Sequence, residues 1–198
     1  MIGLLALLAA QAAVPPSPAS ADVPPAREAA WTACRNEKLT LAVADEMKGC
    51  EELIAAGDVD DGIKAVAHAN RGMLMGLASQ FAAAKEEMDT AIKLNPKLAP
   101  AYYNRALLAA SSGDTKAAVA DYTKAIEIVP VMTDAYINRG IIYATSGRNE
   151  AALADFNKAI ELEPGSADLY ENRAQLLQAM GRPAEAEADL AKAKELAK

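Results

Sequence analysis

From residue 65 to the C-terminus, apolar side chains recur at i, i+3 or i+4, and i+7, the spacing of one buried helix face. Tyr136, Gly140 and Tyr143 form one such stripe, and Ala152 with Phe156 begins the next. Gly113, Gly147 and Gly181 end the first stripe of each pair, where glycine's tolerance of a left-handed backbone suits a helix C-terminus. Pro96, Pro130 and Pro164 end the second, and Pro183 fits the first turn of the last helix, where its missing N–H costs nothing. The pattern predicts a series of short helices. It also repeats: Asn-Arg stands at 70–71, 104–105, 138–139 and 172–173, Ala-Ile at 91–92, 125–126 and 159–160, every series advancing by 34 residues.

A 34-residue period carrying Tyr136-x-x-Arg139-Gly140-x-x-Tyr143, Ala152-x-x-x-Phe156 and Pro164 resembles the tetratricopeptide repeat. The resemblance implies an all-α fold, a right-handed superhelix of antiparallel helix pairs (an α-solenoid). Four repeats follow at 65–98, 99–132, 133–166 and 167–198, behind a degenerate helical repeat or cap at 31–64 in which Leu41 to Ala56 reads as a helix. Gly72, Ala106, Gly140 and Ala174 on the first helices, and Ala84, Ala118, Ala152 and Ala186 on the second, let paired helices approach closely, as the family requires. The first repeat departs from the others with His68, Met88 and Ser79 where they carry tyrosine, an aromatic and the turn glycine. The last has Leu190 in the aromatic slot and no closing proline, so its final helix serves as its own cap, exposing Leu190, Ala193 and Leu196. Arg71, Arg105, Arg139 and Arg173 replace the family's Leu, and sixteen residues later stand Glu87, Asp121, Asp155 and Asp189. An arginine in a packed slot wants a carboxylate, which predicts an Arg–acid pair in each repeat.

The N-terminal third is different. Residues 1–14 are uncharged and apolar, too short a run to span a bilayer, and Ala19-Ser20-Ala21 supplies an A-x-A cleavage site. This predicts a signal peptide over 1–21, although no Lys or Arg precedes the apolar run. The mature chain would then be periplasmic or secreted, opening with an extended Pro-rich lead-in over 22–30. Cys34 and Cys50, an even count in an oxidising compartment, favour a disulfide, with two buried free thiols as the alternative. Asp58-x-Asp60 with Gly62 imitates a calcium loop but has Ala69 where the bidentate glutamate belongs. Signal, paired cysteines and Asn-Arg-Gly repeats together resemble a group of exported bacterial tetratricopeptide proteins.

Composition narrows the function. Hydrophobic residues make up 52% but aromatics only 5%, a profile for close-packed, alanine-rich helices. A net charge of −7 without a basic cluster argues against nucleic acid and against an anionic membrane surface. The single histidine sits in a core slot, no nucleophile, metal-ligand or phosphate-loop motif occurs, and neither an enzyme nor a cofactor is expected. The resemblance implies instead a concave groove lined by first helices that holds a protein or peptide segment. It places Asn70, Asn104, Asn138 and Asn172 on that groove, where an amide can donate and accept to a ligand's backbone. Met73, Leu77, Leu107 and Ile141 share the face and make one end apolar; Asp134, Asp168 and Glu171 make the other acidic. The alternative is a structural protein that self-associates, or whose groove is filled by its own lead-in.

Overall fold

The computed structural model describes residues 23–35 and 42–197. The expected signal peptide lies outside the described residues. A 3₁₀ turn at Pro25–Arg27 leads into α1 (Glu28–Arg35), followed by α2 (Val43–Ala55), α3 (Asp61–Leu77), α4 (Phe81–Leu94), α5 (Ala99–Ser111), α6 (Thr115–Ile128), α7 (Thr133–Thr145), α8 (Asn149–Leu162), α9 (Ala167–Ala179) and α10 (Pro183–Leu196). The described residues contain no strand. The chain divides into two compact units, one ending at Ile128 and one starting at Val129. The first packs α1 on α2, α3 on α4 and α5 on α6; the second packs α7 on α8 and α9 on α10.

Small residues set how closely each pair approaches. A Cβ added at Gly72 would lie 2.8 Å from the Cβ of Glu87 and 3.0 Å from the Ala84 carbonyl oxygen, and one at Gly140 would lie 3.0 Å from the Phe156 ring. Opposite them Ala84, Ala118, Ala152 and Ala186 are fully buried. The turns between paired helices share one geometry. The second residue past each first helix has a positive φ, 63° at Ser79 and 84°, 73° and 74° at Gly113, Gly147 and Gly181. The following N–H then returns to the helix, Gln80 to the Met75 carbonyl and Arg182 to the Leu177 carbonyl, closing the last turn. Ser79 adopts the glycine conformation without being glycine.

The expected Arg–acid pairs are present in all four repeats. Nε and Nη2 of each arginine reach the two oxygens of one carboxylate: Arg71 to Glu87 at 2.9 and 2.7 Å, Arg105 to Asp121 at 2.7 Å twice, Arg139 to Asp155 at 2.9 and 2.8 Å, and Arg173 to Asp189 at 2.8 and 2.7 Å. Each fork therefore ties a first helix to the second helix of the same repeat. Tyrosines flank the forks, Tyr102 near Arg105, Tyr136 and Tyr143 near Arg139, and Tyr170 near Arg173. In the first repeat His68 takes the tyrosine slot and its Nδ1 lies 2.9 Å from Glu87 instead.

The N-terminal segment corrects an expectation. Residues 25–30 do not run extended but are helical. Val23 is buried with Trp31, Cys34, Cys50 and Leu53 in the core of the first unit. The prolines start the 3₁₀ turn rather than preventing one, because a first-turn residue has no N–H to lose. Arg27 anchors the segment through Asp58 and Glu52, each at 3.0 Å. Cys34 and Cys50 form a disulfide joining α1 to α2. Gly49 permits the contact, since a Cβ there would meet the Ala30 carbonyl oxygen and the Cys34 nitrogen at 2.8 Å. At the other end Leu190 is exposed as expected, but Ala193 is buried and Leu196 half-buried, so the exposed apolar edge of α10 is narrower than the sequence suggests.

Candidate partner-binding faces

In the first unit the candidate face lies along α3 and α5. Asn70, Met73 and Leu77 follow one stripe of α3, opposite the Gly72 side that packs on α4. Met73 and Leu77 are 40% and 52% exposed, an unusual investment for large apolar side chains one turn apart. Phe81, at the start of α4, is exposed as well. Periodicity did not single it out, because it precedes the buried stripe of its helix. Asn70 is partly engaged within the fold: its Nδ2 donates to the Cys34 carbonyl oxygen at 3.2 Å and so ties α3 to α1. Asn104 on α5 is half-buried and makes no hydrogen bond with a described residue, which leaves its amide open. Leu107 is only 8% exposed and belongs to the packed side of α5, against the expectation that it lines an open surface.

In the second unit the face lies along α7 and α9. Asn138 is 9% exposed, so the amide expected on the surface is a packed, partnered group. Ile141 is half-buried against Phe156 and Leu176. Asn172 on α9 matches Asn104: half-buried, with no hydrogen bond to a described residue. Asp168 and Glu171 are exposed on α9, and no ion pair to either occurs among the described residues. Asp134 on α7 is half-buried. Burial first, and then the charge of Glu163, pushes its carboxyl above the ordinary value.

The first unit offers apolar contacts at Met73 and Leu77 and an amide at Asn104; the second offers an amide at Asn172 and anionic groups at Asp134, Asp168 and Glu171. An amide with both functions open can pair with the N–H and C=O of an extended chain. Of the eleven expected face residues, the structure leaves Met73, Leu77, Asp168 and Glu171 exposed and Asn104, Asn172, Ile141 and Asp134 half-buried. It commits Asn70, Leu107 and Asn138 to internal packing or bonding.

Three tetratricopeptide-repeat family models match residues 99–130, 133–166 and 156–188. Among solved structures the chain is similar to a crystal structure of MamA, at 20% identity over 82% of this chain and 93% of that one, with a TM-score of 0.70. It is also similar to YrrB, described as a TPR protein with an unusual peptide-binding site, at 19% identity over 85% and 82% of the two chains, with a TM-score of 0.66. At such identities the likeness concerns the fold. No curated protein matches the sequence.

Proposed function

Because this chain is a tetratricopeptide-repeat protein with an all-α solenoid fold, hence a protein-interaction module, we propose that it holds an extended partner segment on its first-helix faces after export from the cytoplasm. The observation that carries the reading is that each unit has an unbonded amide on a first helix, Asn104 in the first and Asn172 in the second. A half-buried amide forgoes part of its hydration, and a ligand backbone restores the hydrogen bonds. The α3 stripe adds Met73 and Leu77 for an apolar side chain of the partner. On α9, Asp168 and Glu171 favour a segment carrying Lys or Arg. No catalytic step enters this reading.

Export is supported by the Cys34–Cys50 disulfide, since such bonds persist in oxidising compartments. No helix among the described residues is long and apolar enough to cross a membrane. The self-filling alternative is weakened by the N-terminal segment, whose Val23 and Arg27 are already engaged on the first unit. Self-association remains the second reading, and the exposed Leu190 of α10 favours it.

The test is to identify the partner by crosslinking in cells and titrate it against Asn104→Ala, Asn172→Ala, Met73→Asp and Glu171→Lys, after thermal melts confirm folding. Each amide variant should weaken binding by about 1 kcal/mol. Glu171→Lys should harm basic partners selectively and less at high salt. Four variants that bind like the parent would overturn the assignment.

A further inference from the structure

A pocket of about 290 Å³ opens between α8, α9 and α10, outside the first-helix faces. Its lining includes Leu153, Asn157, Arg173, Leu177, Arg182 and Glu185, with Asp189 at the base of the Arg173 fork. The volume is just below the range of drug-sized ligand sites, about 300–1,000 Å³, and suits a small group.

The hydrogen bonds inside it leave a surplus of one kind. Arg173 gives Nε and one Nη2 proton to Asp189 and one Nη1 proton to Asn157 Oδ1 at 2.7 Å, leaving two of its five N–H groups. Arg182 gives two to Glu185, both at 2.7 Å, and keeps three. Asn157 accepts from Arg173 through its oxygen, so its NH₂ is turned away from that bond and unspent. Both carboxylates already face a guanidinium with both oxygens. The unspent polar capacity is thus mostly donor, and it sits beside the aliphatic side chains of Leu153 and Leu177.

The same slots two repeat lengths earlier are closed. There Lys85, Asp89, Ala109, Asp114 and Ala117 replace Leu153, Asn157, Leu177, Arg182 and Glu185. Asp89 accepts from Arg105 Nη1 at 2.6 Å and from Lys85 at 2.7 Å, so a carboxylate of the chain itself fills the position opposite the fork. Asn157 removes that carboxylate, Leu153 removes the competing lysine, and Arg182 adds a second guanidinium. We propose that this pocket binds the carboxylate of an aliphatic acid, supplied either by a small molecule or by the C-terminus of a chain ending in an aliphatic residue. The oxygens take the free N–H groups of Arg173, Arg182 and Asn157, and the aliphatic group lies on Leu153 and Leu177. Because two guanidiniums and two carboxylates balance, recognition works through directed hydrogen bonds, which act at short range.

The experiment is a titration of the full chain, followed by the methyl resonances of Leu153 and Leu177. The probes are 4-methylpentanoate, N-acetyl-glycyl-leucine and the amide of each. Both acids should give saturable shifts and neither amide should. The tighter of the two acids identifies the source, small molecule or chain terminus. Asn157→Asp, which closes the Arg173 fork as Asp89 closes that of Arg105, should weaken the acids about tenfold. Arg182→Gln should weaken them about as much, while Leu190→Ser should change nothing. Equal binding of acid and amide, an absence of saturable shifts, or parent-like affinity in both Asn157→Asp and Arg182→Gln would overturn the proposal.

Discussion

The first described helix pair is held together by a covalent bond and the last by an ion pair. Cys34–Cys50 joins α1 to α2, whereas Arg173–Asp189 joins α9 to α10. The lengths explain the difference. The eight-residue α1 buries only Ala30, Trp31 and Cys34, too little to hold a helix that short in place. The fourteen-residue α10 buries just Ala186, Asp189 and Ala193, but it has nearly four turns over which α9 can grip it. The α1–α2 pair is further fastened by the Arg27 anchor and by the Asn70 bond to the Cys34 carbonyl, whereas the α9–α10 pair relies on the fork that every repeat carries.

Breaking the covalent end should cost most. Replacing both cysteines by alanine should lower stability by about 2–5 kcal/mol. Hydrogen exchange should rise first in α1 and α2, and reducing agent should shift the melt of the parent but not of the variant. Breaking the ionic end comes next. Arg173→Leu leaves Asp189 buried without a partner, at a cost of about 3 kcal/mol, and Arg173→Leu with Asp189→Leu should recover more than half of it. Simple additivity in that double-mutant cycle would mean the fork contributes nothing as a pair.

A smaller effect sharpens the comparison by pH. Burial alone would push the Glu87 carboxyl up, but hydrogen bonds from Arg71 and His68, with the Arg71 charge, outweigh it and hold the group below the ordinary 4.5. A depressed folded value contributes stability that is complete above 4.5 and is lost as pH falls through the folded value. Glu87→Gln should therefore melt below the parent at neutral pH, with the gap closing at pH below 4.5. An unchanged gap at low pH would show the carboxylate charge to be irrelevant. The smallest expected change is a gain. Ser79 holds a φ of 63°, which its sister positions assign to glycine, and Ser79→Gly should stabilise by up to about 1 kcal/mol in denaturant titrations.

The periodicity reached the parts of the fold that a single repeat contains. Tyr136, Gly140 and Phe156 meet because their spacing is local to one helix pair, and the Arg–acid forks were legible for the same reason, sixteen residues apart. What escaped depends on contacts between distant segments. Asn70 bonds a carbonyl 36 residues away, and Val23 buries itself beneath helices that the 22–30 stretch gives no hint of. Leu107 and Asn138 look equivalent to Met73 and Asn104 in the repeat, yet their exposure is set by the neighbours that pack over them, and those vary. The candidate face was thus legible as a stripe of positions, while the open members of that stripe were not.

The central claim is that partners meet the first-helix faces. A photocrosslinking residue placed singly at Met73, Asn104 and Glu171, and for comparison at the exposed second-helix positions Glu86 and Lys124, tests it in cells. The account predicts that the first-helix sites capture one common partner and the second-helix sites do not. Capture of that partner from Glu86 or Lys124 alone would contradict it.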